Sequence, residues 1–415
     1  MKKRNIKRAV ALSLAATMLA TVVSACGNND SSSADANTSS NEGSSYTGSG
    51  EVAVDEWEIP VLSAVTGAIA YVGKPASWAA EYAAEQINAA GGIEGVPVKV
   101  TIYDTKFDTA EVASCLSQVV DDSLVVVGPM DAPGGEVAGQ IIYDAAIPNI
   151  GCYSYDEART NFAPYATAYM TDSEEGEVIA ADKWLSINDD IKSVVIFTCP
   201  SDSSQMASTD LLKEHLAEVG VEVAGVVEVE TDTMDCGPAA VQALNMKADG
   251  YISVLRADEN AKVVSELRSR GVDEGRRITC GFSSYSDNYI SVAGADALDG
   301  TYIWNKLDPN YDGEEWQELV AAYQEDFDGA SPVANPVPDF YNAIMAIKTC
   351  YEELGITGDE SVREEEKQAI AEWLNNATDL EGIQGTFSWE NGKKVSDIYY
   401  FQFEGDTPKP VETAE

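Results

Sequence analysis

The chain has 415 residues, with 70 acidic against 26 basic side chains and a formal net charge of −44. That balance excludes a nucleic-acid binder working through a clustered basic face, and adhesion to anionic lipid through polybasic patches. An apolar content of 45% is that of a globular protein, and the single histidine, His215, excludes multi-His metal sites and, unless it serves alone, Ser-His-Asp or Cys-His catalysis.

The first 25 residues carry five bases and no acid, so their removal would leave 70 acids against 21 bases, or −49. The basic start is followed by an apolar stretch from Ala9 to Ala25, the n-region and h-region of an export signal. At about 17 residues it is also at the short edge of a membrane span, so an uncleaved anchor is the competing reading. The stretch closes on Val23-Ser24-Ala25-Cys26-Gly27, which resembles the lipobox of bacterial lipoproteins and implies a signal peptide over 1–25, lipid on Cys26 and anchoring to the cell membrane. Residues 27–50 hold eight serines and no aliphatic residue larger than alanine, too little apolar area to offset the entropy of ordering. Residues 26–52 therefore read as a tether with a reach of about 25–30 Å.

Beyond it, apolar periodicity alternates between strand and helix. A strand is expected at Trp57–Val65. A helix at Pro75–Ala90 follows, its stripe at Ala79, Ala83, Ile87 and Ala90 ended by Gly91-Gly92. Next come an alternating strand at Val98–Tyr103, a helix at Thr109–Asp121, a buried strand at Leu124–Val127, a helix at Pro133–Ala145 and a strand at Ile147–Cys152. The rhythm resumes with helices near Ser173–Leu185 and Gln205–Val219, strands at Ser193–Thr198, Val221–Val229, Gly250–Leu255 and Arg277–Gly281, and a helix at Glu259–Arg270. Last are a strand at Tyr302–Trp304, helices at Glu314–Phe327, Asp339–Leu354 and Ser361–Asn376, and a strand at Ile398–Phe403. Repeated β-α-β units mean parallel sheets covered by helices on both faces, and there are too many for one sheet. The expectation is α/β with two doubly wound lobes.

In such sheets the ligand lies beyond the carboxyl ends of the strands. The loops there run from Gly128 through Asp131 to Gly135, from Tyr153 to Asp156, from Cys199 through Ser204 to Gln205, from Arg256 to Asp258, and from Phe282 to Tyr285. They are rich in hydroxyls and aromatics, and the helix starts at Pro133 and Gln205 would offer free N–H groups to an anionic ligand group. Turn formers and N-caps occupy such loops in any α/β protein, which is the plainer explanation.

Residues 66–108, and within them INAAGGIEG (Ile87 to Gly95) followed by an alternating strand and Asp104, resemble the opening of the branched-chain-amino-acid type of extracellular solute-binding proteins serving ABC importers. The loop beginning Gly128-Pro129, the strand leading to Ser154-Tyr155 and the closing strand follow in that family's order, so the similarity spans roughly 55–405. It implies a type I periplasmic binding protein fold, with crossings near 171, 300 and 386: lobe 1 from 53–171 and 301–385, lobe 2 from 172–300 and 386–408, and a tail at 409–415. It implies capture of a small polar ligand (an amino acid or a related carboxylate or amide) and delivery to permease subunits, by a monomer; the alternative is a ligand-sensing lipoprotein presenting its closed form to a receptor. The ligand-binding positions it implies are Asp131, Ala132, Ser154 and Tyr155; Ser204, Arg256 and Ser284 of the strand-end loops, with Tyr71, complete the expected set. Such binders commonly hold the ligand ammonium on an acid of the second lobe, where Ser283 stands here, while an acid, Asp131, sits in the opposite lobe. Two arrangements remain: reversed polarity, with Arg256 taking an anionic group and Asp131 a cationic or hydroxylated one, or an Asp–Arg latch or plain surface charge.

Other chemistry is not indicated. Asp308-Pro309-Asn310-Tyr311-Asp312-Gly313 starts like an EF-hand loop, but its twelfth position is Leu319. Gly73-Lys74-Pro75 lacks the spacing of a P-loop. The six cysteines after Cys26 contain no CxxC pair, leaving long-range disulfides or buried thiols. With no nucleophile–base pair or metal cluster, neither an enzyme nor a cofactor is expected.

Overall fold

A computed structural model describes residues 46, 48, 50–153, 155–284, 286–308, 310–332 and 336–411. The expected signal peptide and Cys26 lie outside these.

The first lobe is built on a parallel sheet of order β2-β1-β3-β4-β5: β1 (Trp57–Ser63), β2 (Val98–Asp104), β3 (Val126–Val127), β4 (Asn149–Gly151) and β5 (Ala166–Ala168). Its helices are α1 (Ala70–Ala90), α2 (Thr109–Leu116), α3 (Ala132–Asp144) and the short α4 (Asp156–Thr160). The second lobe opens with α5 (Ser173–Ile187), β6 (Ser193–Thr198), α6 (Ser203–Glu218), β7 (Glu222–Glu228), α7 (Gly237–Asn245), β8 (Gly250–Ser253) and α8 (Ala257–Ser269). It continues with β9 (Ile278–Cys280), α9 (Asp287–Ala293), α10 (Ala295–Leu298) and β10 (Tyr302–Asn305). The chain returns to the first lobe with α11 (Glu314–Asp326), α12 (Val337–Leu354), α13 (Arg363–Asn376) and a small antiparallel sheet of β11 (Leu380–Glu381), β12 (Thr386–Glu390) and β13 (Lys393–Val395). It ends in β14 (Tyr399–Glu404) and β15 (Thr407–Pro410), which complete a seven-stranded sheet of order β15-β14-β10-β9-β8-β6-β7.

Helix α1 begins five residues before the expected Pro75, which lies inside it. Its buried face is largely alanine (Ala76, Ala79, Ala80, Ala83 and Ala84, with Ile87), small enough to let the facing α12 approach closely. Gly91 caps it at φ 116°, and the Gly92 amide reaches back to the Ile87 carbonyl at 2.9 Å. That is the left-handed ending the Gly-Gly pair announces. Three local expectations fail. β14 runs antiparallel to β10, so the second sheet is mixed. β15 takes residues 409 and 410 out of the supposed tail. At the end of the supposed tether, the Tyr46 hydroxyl donates to Glu366 Oε1 at 2.9 Å and the Gly48 amide to the Leu354 carbonyl at 2.9 Å.

The chain passes between the lobes at residues 171–172, 306–308 and 394–397, and the three passages are laced together. Thr171 Oγ1 shares a hydrogen bond with Ser396 Oγ at 2.7 Å and bridges Lys394 through the backbone. Its carbonyl accepts from Lys306 Nζ. The second and third crossings fall later than 300 and 386 because β10 pairs with β9 and β14 of the second sheet, while the β12–β13 hairpin stays on the first lobe. The Trp389 indole donates to the Ala168 carbonyl at 2.8 Å, and the Ala168 amide to the Gly392 carbonyl at 2.7 Å.

Candidate functional site

The carboxyl ends of both sheets open onto one cleft. From the first lobe come α1, the loop after β2, α3 and the start of α4. From the second come the starts of α6 and α8. The lobes touch across it: Ser203 Oγ, in the first turn of α6, donates to Glu136 Oε1 on α3 at 2.9 Å. The Tyr155 hydroxyl, beside α4, donates to the same oxygen at 2.6 Å. The Arg256 guanidinium lies over the Phe107 ring, its Cζ 6.0 Å from the centroid, and exposed Tyr71 feels the charges of Arg256 and Asp258.

Asp131 is the N-cap of α3, and its Oδ1 accepts from the Gly134 amide at 2.8 Å. An N-cap carboxylate satisfies an orphan helix donor and complements the positive end of the helix dipole. Only 8% of Asp131 is exposed, and its Oδ2 has no partner within the protein. Burial pushes its carboxyl above the usual range, opposed by the Gly134 amide and by Arg256 across the cleft. Ala132 is buried beside it at the helix start.

The second lobe repeats the device. Asp202 caps α6, its Oδ1 accepting from the amides of Ser204 at 3.1 Å and Gln205 at 3.2 Å. Its Oδ2 takes Gln205 Nε2 at 3.2 Å and both Arg256 Nε (3.1 Å) and Nη2 (2.7 Å). This corrects two expectations. The α3 and α6 N-termini are not free for an anion, because protein carboxylates already cap them. Arg256 does form an acid–arginine latch, but with Asp202 of its own lobe rather than with Asp131.

Of the remaining expected positions, Ser154 lies outside the described residues. Ser204 is half-buried and enters through its amide. Ser284 is fully buried inside the second lobe, its hydroxyl donating to the Leu255 carbonyl at 2.8 Å and accepting from Asn260 Nδ2 at 2.6 Å, so it turns away from the cleft. Sequence reasoning passed over Glu136 and Phe107. Glu136 stands five residues after the N-cap, among small residues in the first turns of α3, which was the available signal; nothing local marks Phe107.

Elsewhere, Cys115, Cys152, Cys199, Cys236, Cys280 and Cys350 are buried and unpaired. Among the described residues no cluster of His, Cys, Asp and Glu would hold a metal ion. Asp308 Oδ1 accepts from the Asn310 amide at 2.8 Å in an ordinary turn.

Residues 56–408 match the family model described as periplasmic binding protein. The chain belongs to the periplasmic binding protein family. It is 32% identical over 97 residues to the leucine-, isoleucine-, valine-, threonine- and alanine-binding protein of Pseudomonas aeruginosa; the match takes in 23% of this chain and 26% of that one, about a quarter of the relative's length. The fold is that of LivJ, the branched-chain amino acid transporter substrate-binding protein of Streptococcus pneumoniae solved with isoleucine (TM-score 0.71, 19% identity, 86% of this chain and 99% of that one). It is shared by an ABC-transporter solute-binding protein from R. palustris in complex with 4-hydroxybenzoate (TM-score 0.73, 15% identity, 87% and 97%). The resemblance read from residues 66–108 and the two-lobed α/β expectation both hold.

Proposed function

We propose that this periplasmic binding protein is exported, cleaved before Cys26 and lipid-anchored there, and that it captures a small polar ligand by lobe closure for delivery to the permease subunits of an ABC importer, acting as a monomer and a binder rather than an enzyme. The cleft supports this reading most: α3 of one lobe meets α6 of the other through Glu136 and Ser203, while three laced crossings allow hinge motion about Thr171. Two lobes that share a polar cleft and a narrow hinge can bind by closing on a solute. No described helix is long and apolar enough to cross a membrane. A related protein solved with isoleucine and another with 4-hydroxybenzoate show that the fold accommodates unlike ligands, so kinship does not name the solute.

The test is uptake. A deletion strain should lose import of whichever solute most raises the melting temperature of the purified protein. Intact uptake with a lost transcriptional response would support sensing instead. Cys26→Ala should release the protein from the membrane fraction or retain an unprocessed precursor; a variant still carrying lipid at the same mature size contradicts the anchor.

A further inference from the structure

Three features beside Asp131 would attract an anion, namely the N-termini of α3 and α6 and the Arg256 guanidinium; the starts of α1 and α8, also at the cleft, carry no side-chain cap. All three are engaged by the protein's own carboxylates, Asp131 on Gly134 and Asp202 on Ser204, Gln205 and Arg256. The unmatched group has the opposite sign. Asp131 Oδ2 is a buried acceptor without a donor, close enough to Arg256 and Asp202 to feel both across the cleft. An unmet buried acceptor carries a desolvation cost that a ligand donor would remove. Asp202 adds negative charge that Asp131 feels, Glu136 follows on the same helix, and a cation, that of Arg256, already rests over the Phe107 ring. The buried cation Lys306 is directed to the Thr171 carbonyl. General acidity does not explain Asp131: most acids of this chain are solvated, whereas this one is more than nine-tenths buried.

We infer that the cleft selects an organic cation, an amine or guanidine bearing no carboxylate, whose N–H group docks on Asp131 Oδ2. The inference rests on the capture reading above and adds the ligand's charge class. An α-carboxylate placed beside Asp131 and Glu136 would be repelled by both, and repulsion of that kind gives specificity as effectively as attraction.

Calorimetry on matched probes tests it: agmatine against arginine, 3-methylbutylamine against leucine, and 4-methylpentanoate as the anion. At least one carboxylate-free cation should bind more tightly than its carboxylate-bearing partner, and 4-methylpentanoate should give no heat. Asp131→Asn keeps the cap through Oδ1 and replaces the open acceptor with a donor. It should weaken the cation about ten- to a hundredfold, and Asp131→Glu should restore part of the loss. Should Asp131→Asn melt early, the wild-type probe pairs decide alone. The inference is overturned if arginine or leucine binds as tightly as its decarboxylated partner, if Asp131→Asn binds the cation like wild type, or if no cation binds at millimolar concentration. Tight binding of 4-methylpentanoate with lobe closure would sink the charge class yet leave capture standing; probes that bind without closure would sink capture.

Discussion

The hinge and the cleft both bury charge, and they treat it oppositely. At the hinge Arg159 Nη1 meets Asp172 Oδ1 at 2.9 Å, both side chains 2% exposed, and Lys394 Nζ meets Asp339 Oδ1 at 2.5 Å while also donating to the Tyr169 carbonyl at 3.0 Å. Each of these charges has its counter-charge within hydrogen-bond reach, although Arg159 Nε is left without a partner. In the cleft, Asp131 keeps one carboxylate oxygen unmatched. Charge-to-charge pairing fixes the geometry of a pivot, whereas a buried carboxylate oxygen with no donor keeps a preference that a ligand donor can satisfy.

The largest effect that would break this contrast lies at the hinge. Asp172→Ala leaves buried Arg159 with only the exposed Asp156 carboxylate, 2.7 Å from Nη2, and should lower stability by about 3 kcal/mol in urea unfolding. A change under about 1 kcal/mol would mean that water reaches the pair.

Next comes the uncompensated pair behind the hinge, Glu177 and Lys306. Burial pushes the Glu177 carboxyl from 4.5 up to about 8, opposed by Trp304 and Lys306, and pulls the Lys306 ammonium from 10.5 down to about 7. Between about pH 4.5 and 8 the folded Glu177 holds a proton that the unfolded chain has lost, so stability falls as pH rises through that window. Lys306 acts the other way between about 7 and 10.5, where the unfolded chain holds the extra proton and stability rises with pH. Glu177→Gln, an isostere of the protonated acid, should therefore be more stable than wild type at pH 8, by on the order of a few kcal/mol, and equal to it near pH 4. Parallel melting curves across that range would contradict the shift.

A smaller effect separates latch from anchor. Arg256→Ala frees Asp202 to face the cleft, so cation affinity should hold or rise, with a loss of about 1 kcal/mol in lobe stability. A tenfold fall in affinity would restore Arg256 as a ligand anchor. Smallest of all, Lys393→Ala breaks a half-exposed bridge to Glu175 and should change the melting free energy by less than about 0.5 kcal/mol.

Much of the fold was legible because it rests on local pattern. The Ala79-Ala83-Ile87 stripe with its Gly-Gly stop ends α1 at the expected Ala90, though the helix starts five residues early, and the apolar run at Ser193–Thr198 has the expected ends. The short β5 and the hairpin at 386–395 were missed: three residues carry no period, and the hairpin's place on the first lobe depends on Trp389 reaching Ala168, a contact 221 positions away in sequence. The site was half legible. Asp131, Tyr155 and Arg256 follow from the strand-end rule, but whether Arg256 is free or spent on Asp202 depends on where two loops of one lobe meet. No spacing encodes that, just as none encodes that Ser284 turns inward to Leu255 and Asn260.

Closure about the Thr171 hinge is the claim on which the rest depends, and solution scattering reads it most directly. With the best-binding probe at verified saturation, the radius of gyration should fall and the scattering curve should move toward that of the closed form, in which Ser203 meets Glu136. An unchanged curve at saturation would contradict capture by closure.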